Sequence, residues 1–221
     1  MPLENIDWEK PCRTKVKDYA VYGGRLQEID WVQHIIERAD WKDPYFKADA
    51  TSLLDPTVNT TGHNLKWRNY TWKRPEEVYG RHNYVIYDVP GPSDITQGNC
   101  GDCYYLASLS ALAENPDRIK RIFLTQEVND AGCYAVQMYI NGERRTVVVD
   151  DYFPYDNERG RWAFSQPSES SNHINEIWVL ILEKAWAKIY GSYQRIESGT
   201  AGEAMYPLTG CPHQFFIHAN L

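Results

Sequence analysis

The stretch HINEIWVLILEKAWAKIYG, residues 173–191, constrains the fold more than any other part of the chain. Ile174, Ile177, Trp178, Ile181, Leu182, Ala185, Trp186 and Ile189 recur at the three-to-four spacing of an α-helix. So broad an apolar face must be covered, which predicts one long buried helix with Gly191 as its C-cap. A second signal is local. CYAVQMYIN (133–141) and ERRTVVVD (143–150) flank Asn141-Gly142, the dipeptide that best fits a two-residue hairpin turn. Residues 103–114 carry good helix formers up to Asn115-Pro116. Residues 25–40 place Leu26, Ile29, Val32, Ile35, Ile36 and Ala39 on one helical face, stopped at Asp43-Pro44. Between these, residues 43–96 are rich in Pro, Gly, Asn and Thr and predict long ordered loops anchored by Trp and Tyr. Helices around a hairpin predict an α+β fold, mainly helical.

Charge and cysteine content narrow the function classes. A net charge of −7 argues against nucleic acid, whose phosphates need a basic footprint. No run approaches the roughly 18 apolar residues of a membrane span. The opening MPLENIDWEKPC lacks the apolar run of a signal peptide. The five cysteines (12, 100, 103, 133 and 211) are odd in number and irregularly spaced, which predicts reduced thiols and a cytoplasmic protein.

Two of those cysteines lie three apart in QGNCGDCYYLASLSALAENP, residues 97–116. A structural zinc site needs four ligands, and Cys12, Cys133 and Cys211 are isolated, with no His-x3-5-His pair. A redox dithiol expects a strand feeding the pair, whereas VPGPSDITQGN is rich in turn residues. A nucleophile explains more. Cys103 falls on the expected first turn of a helix, where free N–H groups and the helix dipole favour a thiolate. Gln97 precedes it on a glycine-containing turn, and its amide with the Cys103 N–H would form an oxyanion hole. Cys100 has two readings: a partner for reversible oxidation of Cys103, or a small buried hydrophobe.

QGNCGDCY resembles the active-site motif of the calpain family, Gln-Gly-x-Leu-Gly-Asp-Cys-Trp, with Cys100 in place of Leu and Tyr104 in place of Trp. DPYFKADATSL (43–53) and WKRPEEVYG (72–80) resemble calpain segments upstream of that motif. EIWVLILEKAWAKIYGSYQRIESG (176–199) and EAMYPLTG (203–210) resemble those downstream. The resemblance implies the first subdomain of a papain-like calpain protease core over residues 43–216. It leaves 1–42 as an N-terminal helical extension and 217–221 as the start of a connection to a second subdomain. It makes Cys103 the nucleophile and Gln97 the oxyanion-hole glutamine. It also implies a calcium site with Asp94 and Glu176 as ligands, both hard oxygen donors. The upstream loop YVIYDVPGPSD departs from the family's Gly-Gly pattern. Asp150 and Asp151 are adjacent on a strand, so they point to opposite faces and suit no single ion.

The His and Asn that complete a calpain triad, in Gly-His and Asn-Pro-Trp contexts, do not follow Cys103. Gly62-His63 precedes it, and His173, His213 and His218 lack the spacing. A free thiol has a pKa of about 8.5, and a helix end contributes roughly 0.3–2 kcal/mol, so most of the thiol stays protonated at pH 7. The leaving amine also needs a proton donor. The expectation is a calcium-dependent cysteine endopeptidase acting on protein substrates once joined to its second subdomain. The alternative is a non-catalytic calpain-derived scaffold or interaction module.

Overall fold

The computed structural model describes residues 28–214 except 39, 59, 61 and 171. In chain order the first elements are α1 (Trp31–Glu37), α2 (Ala50–Leu53), α3 (Gly62–Leu65) with a 3-10 turn at Lys66–Asn69, β1 (Thr71–Lys73), α4 (Pro75–Tyr79) and β2 (Tyr84–Val85). A 3-10 turn at Pro92–Asp94 leads to α5 (Cys103–Ala113) and α6 (Pro116–Lys120). Then come β3 (Cys133–Ile140), β4 (Glu143–Asp150), β5 (Phe153–Asp156), β6 (Arg161–Trp162), β7 (Ser168–Glu169) and β8 (Asn175–Glu176). α7 (Trp178–Tyr190), a 3-10 turn at Gln194–Ile196 and α8 (Ala201–Thr209) close the order. This mixture of helices and short sheets fits the expected α+β class. No helix among the described residues is long and apolar enough to cross a membrane.

The strong local signals hold. α5 spans 103–113, and Asn115 caps α6 by accepting from the Asp117 N–H at 3.1 Å. β3 and β4 pair antiparallel from Cys133↔Asp150 to Ile140↔Glu143. The turn has φ of 53° at Asn141 and 84° at Gly142, the left-handed pair that a type I′ hairpin requires. The loop region 43–96 holds short ordered pieces: β1 pairs with β5, and β2 with β8.

Two helices differ from expectation. α1 starts at Trp31, where Asp30 accepts from the Gln33 N–H at 3.0 Å. It ends at Arg38 in the left-handed conformation, five residues before the Asp43-Pro44 stop. Leu26 and Ala39 lie outside the described residues. α7 starts at Trp178, not at 173. His173 is left-handed (φ 60°), and Asn175–Glu176 are drawn into a sheet between β2 and β7. Long-range pairing wins there over local helical spacing. Gly191 caps α7 as expected, with φ 101°.

Every residue of α7 is buried, Glu183, Lys184 and Lys188 included, so the helix is surrounded and not one-faced. Lys184 donates to the Asp150 carboxylate and, at 2.6 Å, to the Tyr152 carbonyl. Lys188 donates at 2.6 Å to both Asp43 Oδ2 and the Val148 carbonyl. The Asp43 N–H donates to Asp150 Oδ2 at 2.7 Å, closing the network between α7, β4 and the segment before α2. Asp151 points the other way, to Arg74 Nε at 2.6 Å, as strand alternation requires. α1 lies outside this core: Ile29, Trp31 and Ile35 cover the patch formed by Trp41, Ala131, Cys133, Ala135 and Val148.

Candidate functional site

Cys103 is the first residue of α5, free and exposed. Its N–H is one of the four that a helix start leaves without an intrahelical partner. Packing from α5 onto α7 fixes this helix end. The Tyr105 ring stacks on Trp186 at 4.9 Å and 6°, and its hydroxyl donates to the Leu182 carbonyl at 2.9 Å. Such a ring pair contributes about 0.5–1.5 kcal/mol beyond area burial. Tyr104 accepts from Trp186 Nε1 at 3.1 Å and lies flush on Gly199, where a Cβ would overlap the ring.

The loop before Cys103 is held as tightly. A Cβ on Gly98 would overlap the Phe164 carbonyl, so only glycine permits this approach. The Asn99 N–H donates to the Ala163 carbonyl at 2.9 Å, and Gln166 N–H to the Thr96 carbonyl at 2.9 Å. Gln97 therefore sits on a loop strapped to 163–166. Its Nε2 donates to the Cys100 carbonyl at 2.7 Å, so one amide hydrogen holds the turn and one remains. Glu197 braces the other side: Oε1 accepts from the Gly101 N–H and faces His63 Nε2, each at 3.1 Å, while Oε2 accepts from Asn64 at 2.6 Å.

Cys100 is buried, whereas Cys103 is exposed. It is 2% exposed, its thiol faces the Tyr193 carbonyl at 3.6 Å, and burial pushes its pKa well up. The small-hydrophobe reading of Cys100 fits this setting, and the oxidation-partner reading does not. No imidazole hydrogen-bonds Cys103 among the described residues. His63 engages Glu197, His173 engages Glu169 at 2.6 Å, and His213 packs at Gly202; His218, like Cys12, lies outside the described residues.

These settings predict a labelling order. Iodoacetamide near neutral pH should modify Cys103 and Cys211 in the folded chain and spare Cys100 and Cys133, whose thiol burial pushes up to about 12. Cys103 should be faster than Cys211, because one follows a helix N-terminus and the other the C-terminal end of α8. Peptide mapping by mass spectrometry reads the order; faster labelling at Cys211 would remove Cys103 as the activated thiol.

Asp94 and Glu176 are brought to one place, between the 92–94 turn and the start of α7. Asp94 Oδ2 accepts from the Gly91 N–H at 2.7 Å and from Trp178 Nε1 at 3.3 Å. Glu176 is 3% exposed, and its Oε2 has no hydrogen-bond partner. Burial raises the Glu176 pKa, a hydrogen bond from the Asp88 backbone opposes that rise, and the Asp94 and Asp88 charges add to it. An orphaned buried carboxylate oxygen near Asp94 is a donor that suits a hard cation. Among the described residues no group of three or more His, Cys, Asp or Glu side chains converges to hold a metal, so carbonyls of the 86–94 loop would have to supply further ligands.

Two features of the site had no local sequence signal: Glu197 as the brace on Gly101, and a contact between the buried carboxyls of Asp102 and Glu183. Each joins residues distant in the chain.

Comparison with known proteins bears on the family of the chain, not on its site geometry. Residues 41–220 match the calpain family cysteine proteases. The chain is 36% identical over 144 residues to the calpain-type cysteine protease DEK1 of Arabidopsis thaliana, which is 63% of this chain and 6% of that protein. It is 43% identical over 177 residues to the calpain-type cysteine protease ADL1 of Oryza sativa subsp. japonica, 77% of this chain and 8% of that one. It is 34% identical over 151 residues to the calpain-1 catalytic subunit of Mus musculus, 67% of this chain and 20% of that one. The chain thus spans a fifth or less of the length of these relatives.

Proposed function

The chain belongs to the calpain family of cysteine proteases, and on that premise we propose that it is the nucleophile-bearing half of a calcium-dependent endopeptidase core. The observation that carries the proposal is the exposed Cys103 thiol on the first turn of α5, beside a loop locked by Gly98 so that Gln97 stays on the same turn. In the reaction the Cys103 thiolate attacks the scissile carbonyl. The developing oxyanion would take the Cys103 N–H and the second amide hydrogen of Gln97. The leaving amine needs a proton from an acid, which the second subdomain would provide together with the base that deprotonates the thiol. Protein substrates, the second subdomain as partner and a cytoplasmic setting that keeps thiols reduced belong to the same proposal, as does the assignment of 43–216 to subdomain 1. The test is a fusion of residues 1–221 to a calpain second subdomain carrying its His and Asn. It should cleave a denatured protein substrate when calcium is present, and the unfused chain should not.

Asp94 and Glu176, with carbonyls of the 86–94 loop, would hold the calcium ion. A bound divalent cation supplies charge neutralisation and rigidity to the turn that leads three residues later into Gln97. Because the Trp178 indole donates to Asp94, calcium titration should change tryptophan emission in the 221-residue chain. Glu176→Gln, which removes the charge of the orphaned carboxylate, should weaken calcium binding by calorimetry at least tenfold. An unchanged affinity in Glu176→Gln would place the ion elsewhere.

A further inference from the structure

Asp102 and Glu183 are two buried carboxyl groups, at 0% and 2% exposure, near enough for each to act on the other's ionisation. Among the described residues no side chain donates a well-formed hydrogen bond to either Asp102 oxygen, and Asp102 makes no capping bond to α5. Among the described residues its hydrogen-bonding neighbours are the Glu183 carboxyl and its own backbone N–H. Two carboxylates offer only acceptors, so this contact needs a proton between them. Glu183 is filled on its other side by Ser165, whose N–H lies 3.0 and 3.2 Å from the two oxygens and whose hydroxyl donates at 2.8 Å.

The titratable groups that face the pair are Cys100, Tyr104, Tyr105, Tyr193 and Glu197. All are neutral or acidic, and among the described residues none of the groups facing the pair is a cation that could compensate two ionised carboxylates. We propose that Asp102 and Glu183 share a proton at neutral pH and act as a positioning pair that fixes Cys103 relative to Gln97. The functional half of this inference rests on Cys103 being the nucleophile. The linkage is direct. Asp102 is the residue before Cys103; Glu183 lies on α7; and Ser165 belongs to the 163–166 segment that straps the Gln97 loop. A proton between the carboxyls closes the chain from thiol to oxyanion donor.

Burial drives the pair upward in pKa, Asp102 to about 7 and Glu183 well above the carboxylate range. The sign for stability follows. Unfolded carboxyls ionise near pH 4, so between about pH 4 and 7 the unfolded state binds fewer protons than the folded one. Stability contributed by the pair is therefore complete below about pH 4 and falls as pH rises. Each retained proton raises the unfolding equilibrium constant about tenfold per pH unit.

The experiment uses the 221-residue chain with Glu183→Gln and Glu183→Ala. Wild type should show an infrared carboxylic-acid C=O band at pH 7 that Glu183→Gln loses. Urea unfolding between pH 5 and 7 should show wild type losing about tenfold more per pH unit than Glu183→Gln. Labelling of Cys103 relative to Cys211 should slow several-fold in Glu183→Ala, and Glu183→Gln, whose amide can donate to Asp102, should recover most of it. Absence of the acid band, or equal pH slopes in wild type and Glu183→Gln, overturns the shared proton even if Glu183→Ala does not fold. Loss of labelling that Glu183→Gln fails to recover overturns the positioning role. If the band and slope appear while Cys103 labels no faster than Cys211, the protease reading fails and the shared proton stands.

Discussion

Lys188→Met is expected to cost about 3–5 kcal/mol of folding stability, the usual loss when one member of a buried ion pair is removed. Lys188 is 1% exposed, and Asp43, its partner, is 2% exposed. Desolvation pulls the Lys188 pKa down, and Asp43 opposes that shift. Without the ammonium, the Asp43 carboxylate keeps, among the described residues, the Tyr45 and Phe46 N–H groups, at 2.9 and 3.1 Å, and the Val148 carbonyl loses its donor. The penalty is that of a buried charge left alone, since Met fills most of the lysine volume. Arg81→Met is the contrast. Arg81 pairs with Glu76 at 2.9 Å, but both are exposed, so solvent replaces the partner at little cost. Urea midpoints at constant m-value measure both. Equal midpoints for the two variants would mean that the α7 network does not anchor the domain.

The second large effect is catalytic. In the fusion with a second subdomain, Gln97→Ala should lower kcat roughly 10²–10³-fold, the usual loss for one oxyanion donor. The KM should change little, because the amide gains its partner as charge develops. Gln97 also holds the Cys100 carbonyl at 2.7 Å, so the variant needs a control for local folding. Calcium binding at Asp94 and Glu176, three or more residues away, supplies it. A variant that binds calcium normally yet loses kcat separates the oxyanion role from a collapsed loop. A Gln97→Ala enzyme with full kcat would leave the Cys103 N–H as the sole donor and remove Gln97 from the mechanism.

What was legible in the sequence is what local chemistry decides. Asn141-Gly142 needs two left-handed residues and obtained them, so the β3–β4 register follows from four residues of turn chemistry. Asn115-Pro116 ends α5 because proline disfavours a helical residue before it. Cys103 at a helix start was readable because glycines and a good helix run flank it. The start of α7 was not readable: Asn175 and Glu176 carry helical spacing but pair with Tyr84 and Val85, far away in the chain. The lysines of α7 look like a solvated edge in sequence, and their distant partners Asp43, Val148, Asp150 and Tyr152 make burial tolerable. Asp94 and Glu176 came from the resemblance to calpains; no spacing rule joins them, although the fold does. The Asp102–Glu183 contact lies beyond both kinds of reading, because it pairs a motif residue with one face of a remote helix.

The central claim is that Cys103 attacks the peptide bond. The most direct measurement is acid quenching of the fusion during turnover of an ester or slow peptide substrate, followed by mass mapping. An acyl group in thioester linkage should appear on the peptide containing Cys103, and both adduct and cleavage should vanish in Cys103→Ala. Cleavage that continues in Cys103→Ala, or a folded, calcium-loaded fusion that cleaves nothing, would contradict the claim and favour a non-catalytic scaffold.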